Sequence, residues 1–204
     1  MSGYLIAFEG GEGSGKSTQA RRLADRLGGR ALFTFEPGDS ALGAQLRQLL
    51  LDTEALAISD RAESLLMAAD RAQHVVEVIR PAMAAGRTVI TDRYAGSSVA
   101  YQGYGRQLPP GEVERLSRWA ADGLWPDLVF LLEVTPSVAE QRLVRAKDRV
   151  ESAGAAFHQR VHDGFLRQAI EDPDRWAIID GTQDEDRVAE QIWQVISIRF
   201  PDLV

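Results

Sequence analysis

The 204-residue chain has no cysteine. That excludes a disulfide framework and any zinc site built on thiolates. Histidine is also scarce, limited to His74, His158 and His162. Three histidines do not make a metal cluster by themselves. His158 and His162 stand four apart on an expected helix, but no carboxylate completes a zinc-protease pattern there, and they are read as surface residues. Positive charge is in deficit: 23 Lys and Arg against 30 Asp and Glu leave a net charge of −7. A broad nucleic-acid-binding face is therefore not expected, although local arginine clusters can still hold an anionic ligand. No apolar stretch reaches membrane length, and no basic region followed by an apolar run opens the chain. The expectation is a cytoplasmic protein without a membrane partner. Repeats, low-complexity tracts and linkers are missing too, so residues 1–204 are read as one domain.

Against these absences stands Gly10-Gly11-Glu12-Gly13-Ser14-Gly15-Lys16-Ser17, which fits G-x-x-x-x-G-K-[ST] without a mismatch. Tyr4–Phe8 before it reads as a buried strand, and Thr18–Leu27 after it as an amphipathic helix, the context the motif requires. Glycines let backbone N–H groups turn inward around a polyphosphate, and the helix N-terminus adds its positive dipole end. The cradle is assigned to Gly10, Gly11, Glu12, Gly13, Ser14, Gly15, Lys16, Ser17 and Thr18. Lys16 is expected on the outer phosphates and the Ser17 hydroxyl on Mg²⁺.

Short apolar runs at Leu5–Phe8, Ala31–Phe35, Thr88–Thr91, Leu128–Val134 and Trp176–Ile179 are nearly continuous rather than alternating. This marks strands covered on both faces, as in a parallel sheet. Helices are expected over Ala41–Leu51, Arg61–Ala85, Gly111–Gly123, Ser137–Lys147, Ala155–Ile170 and Asp184–Phe200. Pro81 is a point where the second of these can kink. In the last, Val188, Ile192, Val195 and Ile196 share one face. The expected fold is α/β, a three-layer α/β/α P-loop arrangement with a five-stranded parallel sheet and a short arginine-containing lid.

Such sheets hold ligands at the carboxyl edge of the strands, where Glu9, Glu36 and the pair Asp92-Arg93 fall. Asp92, closing an apolar strand, is placed to hold Mg²⁺. Arg93 beside it can clamp an anion. The lid is placed at about 142–154, where Arg142, Arg145, Lys147 and Arg149 precede the flexible exit Ser152-Ala153-Gly154. Phosphoryl transfer spreads negative charge that closing arginines stabilise, and the phosphate loop supplies no arginine between Gly10 and Lys16.

Taken together, these segments resemble the bacterial thymidylate kinase family over nearly the full chain. The resemblance is carried by Phe8–Gln19, Glu36-Pro37-Gly38, Ala68–His74, Asp92-Arg93-Tyr94 with Ser97-Ser98 and Ala100–Gly103, Pro126-Asp127-Leu128, and Asp148-Arg149-Val150-Glu151. It implies ATP-dependent phosphorylation of dTMP to dTDP, with Mg²⁺, a closing lid and a homodimer built on long helices. It also implies the substrate-binding set Glu12, Glu36, Arg47, Met67, Arg71, Arg93, Ser98, Tyr101 and Gln102. Within that set, Arg93 and Arg47 would clamp the acceptor phosphate. Arg71, Gln102 and Ser98 would meet the base, Met67 its face, and Tyr101 and Glu12 the sugar. Lys16, Arg93 and the lid cations Arg149, Arg145 and Arg142 would act on the transferring group, with Ser17 and Asp92 on the metal.

Several positions depart from the family pattern. Phe35 stands where arginine usually precedes Glu-Pro-Gly, and Asp39-Ser40 follow in place of Gly-Thr. Met67 replaces an aromatic residue, Gly96 an aspartate, Phe165 a tyrosine and Glu133 an aspartate. None removes a phosphate-handling group. Met67 leaves room for a related monophosphate kinase of altered base choice, such as one accepting dUMP. A non-catalytic nucleotide-binding protein would call for loss of Lys16, Asp92, Arg93 or the lid cations, and all are present.

Overall fold

The computed structural model describes residues 3–51, 57–142, 149–150 and 152–204. Five strands form one sheet: β1 (Leu5–Glu9), β2 (Ala31–Phe35), β3 (Thr88–Asp92), β4 (Leu128–Glu133) and β5 (Trp176–Asp180). Their spatial order is β2-β3-β1-β4-β5, and every pairing is parallel. The strands match the expected runs to within a residue or so. Glu9, Asp92 and Asp180 are included because the ladder continues to the charged carboxyl edge, pairing Phe8 with Asp92 and Glu133 with Asp180.

The continuous apolar runs of β1, β3 and β4 are explained by two covered faces; the edge strand β5 departs from that expectation, with Ile178 50% exposed. Ile6 and Phe8 point with Ile90, Leu128, Phe130 and Leu132 toward α1 (Lys16–Leu27) and α9 (Glu185–Arg199). Leu5 and Ala7 point with Val89 and Val129 to the other face. As expected, Val188, Ile192 and Ile196 are buried under α9, with Val195 packed at the margin. Asp127 pins the start of β4 to β1: its carboxylate accepts from Leu5 N at 2.8 Å and its own N–H donates to Leu5 O at 2.8 Å.

The opposite face carries a bent series of helices. α2 (Ala41–Leu51) precedes α3 (Asp60–His74), whose N-cap Ser59 accepts from Ala62 N. The chain then runs without a break through a wide turn, Val75–Ile79, into α4 (Arg80–Ala84). There Arg80 N bonds the Val75 carbonyl, five residues back. Pro81 has no N–H to give the carbonyl four residues earlier, so the helix widens into π geometry at the site of the expected kink.

A segment absent from the expected helices follows β3: α5 (Ala95–Ser98) continues into a second π stretch, Val99–Gly105. Its glycines hide it from propensity. They are there for close packing: a Cβ on Gly105 would lie 2.6 Å from the Phe157 ring. Then come α6 (Pro110–Ala120), α7 (Pro136–Arg142) and α8 (Ala155–Glu171). α8 packs Phe157, Val161 and Phe165 on Ala100, Tyr101 and Leu131. The part of the expected Ser137–Lys147 helix beyond Arg142 lies outside the described residues.

Phe130 is fully buried at the middle of the sheet, 5.1 Å from the Phe8 ring centroid. Phe130→Ala should cost about 3–5 kcal/mol of unfolding free energy, measured by urea denaturation.

Candidate active site

The loop between β1 and α1 turns through left-handed backbone at Gly13 (φ 68°) and Gly15 (φ 90°). Gly13 could not be another residue in this packing, because a Cβ would sit 2.6 Å from the Ala139 carbonyl oxygen. Lys16 opens α1 and curls back over the loop, donating to Gly11 O at 2.6 Å and Ser14 Oγ at 3.3 Å. It is 5% exposed and forms no ion pair with a described carboxylate. Burial and the nearby Arg93 charge push its ammonium below the usual lysine range. The carboxylates of Glu12, Asp92 and Glu9 act against that shift through space without bonding the ammonium.

The neighbouring strand delivers the next groups. Ser17 Oγ donates to Asp92 Oδ2 in a short hydrogen bond. The other oxygen, Asp92 Oδ1, is buried and has no hydrogen-bond partner among the described residues. Arg93 follows in a left-handed conformation, φ 71°, rare for a side chain of this size. Its N–H bonds Phe8 O at 2.9 Å, and Thr91 Oγ1 bonds its carbonyl at 2.8 Å. The strain turns its guanidinium toward the phosphate loop, where it donates to Gly10 O (3.2 Å), Ser97 Oγ (2.9 Å), Tyr101 OH (3.2 Å) and Glu12. Burial alone would lower its pKa, but Glu12 and the neighbouring Tyr101, Asp92 and Glu9 raise it, so the charge is permanent.

A cavity of about 380 Å³ opens beside these groups. Every expected substrate-binding residue lines it: Glu12, Glu36, Arg47, Met67, Arg71, Arg93, Ser98, Tyr101 and Gln102, together with Lys16, Ser17 and Asp92. Phe33, Phe35, Pro37, Asp70 and Leu51 complete much of the wall. Arg47 is steadied by Pro37 O at 2.7 Å and stands 5.6 Å from the Phe35 ring centroid. Arg71 is held at 3.1 Å by both Ser117 Oγ and Ser98 Oγ, lies 2.9 Å from Glu36 Oε2, and crosses the Tyr94 ring at 5.2 Å. A second cavity of about 560 Å³ lies between the phosphate loop, the end of β4 and α8, with Gly10, Gly11, His158 and His162 on its wall.

The arginines expected in a lid stand apart from this convergence. Arg142 donates to Gly181 O at 2.8 Å. Arg149 donates to Leu50 O at 2.8 Å and to Glu63 Oε2 at 2.7 Å. Arg145 lies outside the described residues. Thr18, at the first turn of α1, is exposed.

Sequence reasoning missed the buried supports of the site. His74, fully buried, bridges Glu36 Oε1 (3.0 Å) and Thr34 Oγ1 (2.5 Å), and Thr34 also donates to Asp39 at 2.6 Å. Asp70 accepts from Gly38 N at 3.0 Å, while its other oxygen is buried without a hydrogen-bond partner among the described residues. Burial and the Glu36 charge push its carboxyl up to about 6. Glu63 is buried against Gln102, Arg106 and Arg149. A signal for these was present: Glu63, Met67, Asp70, Arg71 and His74 recur at three- and four-residue spacing, one face of α3. Polar residues on a stripe that should be apolar mark a buried polar wall.

The sequence model of the thymidylate kinase family matches residues 8–192. This chain belongs to that family. It is 48% identical to the thymidylate kinase of Bifidobacterium longum subsp. infantis, an alignment that covers all of this chain and 88% of that protein. With the thymidylate kinase of Cutibacterium acnes it shares 46% identity, covering 97% of this chain and 98% of that one. The crystal structure of thymidylate kinase from Ehrlichia chaffeensis superposes with a TM-score of 0.79 at 29% identity, covering 96% of this chain and 99% of that one.

Several departures from the family pattern have local reasons. Phe165 packs edge-on against Tyr101 at 6.0 Å, behind the 380 Å³ cavity rather than on its wall. Phe35 takes its place under Arg47. Gly96 makes room for Glu9 and Trp176, since a Cβ there would lie 2.8 Å from Glu9 Oε1 and 2.9 Å from the Trp176 ring. Asp39 is the acceptor for Thr34, and Ser40 Oγ accepts from Gly43 N at 2.9 Å.

Glu9 is fully buried and accepts from Tyr94 N, Ser97 N and Ser97 Oγ. Burial nevertheless outweighs these bonds and pushes its carboxyl up to about 7. The folded state therefore binds the Glu9 proton more tightly than the unfolded chain does. Its contribution to stability is full below pH 4.5 and is lost as pH rises through 7, a change of order ~3 kcal/mol. Urea denaturation across pH 5 to 8 should show this decline, and Glu9→Gln should flatten it.

Proposed function

We infer that the chain transfers the γ-phosphoryl group of ATP to dTMP, giving ADP and dTDP. The observation that carries this reading is convergence on one cavity. Lys16 of the phosphate loop, Asp92, Arg93 and Arg47 share it with Met67, Arg71, Ser98 and Gln102. The first group suits phosphate; the second suits a pyrimidine.

Lys16 faces the outer phosphates of ATP, and the amides of residues 10–18 cradle them. Asp92 and Ser17 fit a hard divalent cation such as Mg²⁺: both are oxygen donors, and Asp92 Oδ1 is buried without a hydrogen-bond partner among the described residues. When bound, Mg²⁺ neutralises charge on the phosphate oxygens. Arg93 and Arg47 hold the acceptor phosphate as charge-assisted donors. Arg71, braced by two serines and Glu36, presents its guanidinium to the base, where Ser98 and Gln102 also stand. Met67 covers the base face with a polarizable surface. Tyr101, fixed by Arg93 and Glu12, flanks the sugar. The acceptor is already an anion, so positioning and electrostatic stabilisation supply the rate without a dedicated base. Arg142, Arg145 and Arg149 are assigned to the lid that closes over the transferring group.

A homodimer suits the exposed apolar side chains of α2 and α3, Leu42 (42% exposed) and Leu65 (59%), with Val76 (64%) just beyond. Light scattering should return twice the 22.4 kDa chain mass.

ADP release from Mg-ATP should be strong with dTMP and weaker with dUMP, dCMP, dGMP, AMP, CMP and UMP. Turnover led by another monophosphate would move the specificity, and none at all from folded protein would refute the activity. Lys16→Ala and Arg93→Ala should each lower kcat by about 10²–10³ with the thermal transition retained. Arg149→Ala should lower kcat more than it raises the KM for dTMP. A change confined to KM would place Arg149 in acceptor binding instead.

A further inference from the structure

Glu63 belongs to none of the motifs that carry the family resemblance, yet it is 1% exposed in the first turn of α3. Its Oε1 accepts from Gln102 Nε2 at 2.9 Å and Arg106 Nε at 3.2 Å. Its Oε2 accepts from Arg106 Nη2 at 3.0 Å and Arg149 Nη2 at 2.7 Å. Burial by itself would push the carboxyl up, but the bonds from Arg106, Gln102 and Arg149 outweigh it and hold Glu63 below the usual range. Glu63 is thus a carboxylate at neutral pH, and a carboxylate only accepts.

The consequence falls on Gln102. Its side-chain amide must turn the NH₂ group, never the oxygen, toward Glu63. The amide is planar, so committing Nε2 to one side commits Oε1 to the other. Among the described residues Gln102 Oε1 has no hydrogen-bond partner, and Gln102 lines the acceptor cavity. A free glutamine amide could flip by 180° and present either group. This one is held in a single sense by a charged partner, itself held by both Nε and Nη2 of Arg106. Arg106 is in turn fixed over the Phe157 ring at 4.7 Å.

We propose that Glu63 is a positioning residue for base selection, holding Gln102 so that the cavity receives a hydrogen-bond acceptor. That favours a pyrimidine whose N3 carries hydrogen, thymine or uracil, over cytosine, whose N3 is a lone pair. The inference rests on the reading of this cavity as the dTMP pocket. Glu63 touches no substrate; it acts through Gln102. Two acceptors facing each other in a buried site leave both unsatisfied, which is the costly case for recognition.

The test compares kcat/KM for dTMP, dUMP and dCMP in the full-length chain and in Glu63→Ala. The dTMP-to-dCMP ratio should fall by about tenfold or more, because the Gln102 amide is released to flip. The dTMP-to-dUMP ratio should stay within about twofold, since the 5-methyl contact is not involved. A merely structural role would lower all three rates together and leave both ratios in place, and that result overturns the proposal. Should Glu63→Ala fail to fold, Glu63→Gln keeps the shape but can donate as well as accept, and its dTMP-to-dCMP ratio should move in the same direction. In the unsubstituted protein, the Gln102 side-chain amide protons, assigned by Gln102→Ala, should exchange slowly before any nucleotide is added. Fast exchange overturns the proposal whatever the variants do. If the unsubstituted chain itself shows no preference for dTMP over dCMP, the pocket assignment falls. If it shows the preference and folded Glu63→Ala retains it, only the role of Glu63 falls.

Discussion

The parallel pairing of β1 with β3, Phe8 opposite Asp92, sets the phosphate loop, Asp92 and Arg93 side by side. Two residues after Phe8 the chain enters the phosphate loop; one residue after Asp92 it reaches Arg93. A shift of one residue along this ladder would turn Asp92 to the other face of the sheet and break its bond with Ser17. The pairing is secured by burial: Leu5, Ile6, Phe8, Val89 and Ile90 are each fully removed from solvent. It is locked at the edge by the bond from Arg93 N to Phe8 O. The strained backbone of Arg93 is therefore held by a rigid strand end rather than by a free loop.

On this frame the site is assembled from buried charges, and each is costly unless answered. Arg93 is answered by Glu12, Arg71 by Glu36, and Glu63 by Arg106 and Arg149. Lys16 and Asp92 Oδ1 are different. Lys16 hydrogen-bonds only neutral oxygens among the described residues, and Asp92 Oδ1 has no hydrogen-bond partner among them. These two groups keep bonding capacity that a nucleotide polyphosphate and its cation would complete, while the others are braced by direct ion pairs. That division is what electrostatic preorganisation requires.

The two π-helical stretches belong to the same economy of space. The one before Arg80 accommodates Pro81 within a continuous helix, so α3 and α4 remain one unit behind the cavity. The one at Val99–Gly105 presents Tyr101 and Gln102, both cavity residues, while Gly103 and Gly105 let Pro110 and Phe157 approach closely.

Much of this was legible in the chain itself. Continuous apolar runs gave away the five strands, of which β1, β3 and β4 are covered on both faces, and the spacing of glycines, Lys16 and Ser17 identified the phosphate loop. Asp92-Arg93 after an apolar run announced the carboxyl edge. These features are local: strand burial and loop geometry depend on neighbours in sequence. The helix over Ala95–Gly105 was hidden because its glycines answer to contacts made by distant residues. Glu63, Asp70 and His74 were equally hidden as partners, although their periodicity on α3 was in plain view. Which charge meets which is a matter of distance in three dimensions, between residues as far apart as Glu63 and Arg149. Sequence determined the strands, most of the helices and the chemistry at the ends of the strands. Only the tertiary structure decided which buried groups are neutralised by partners and which are left for a ligand, because desolvation and pairing act through space and not along the chain.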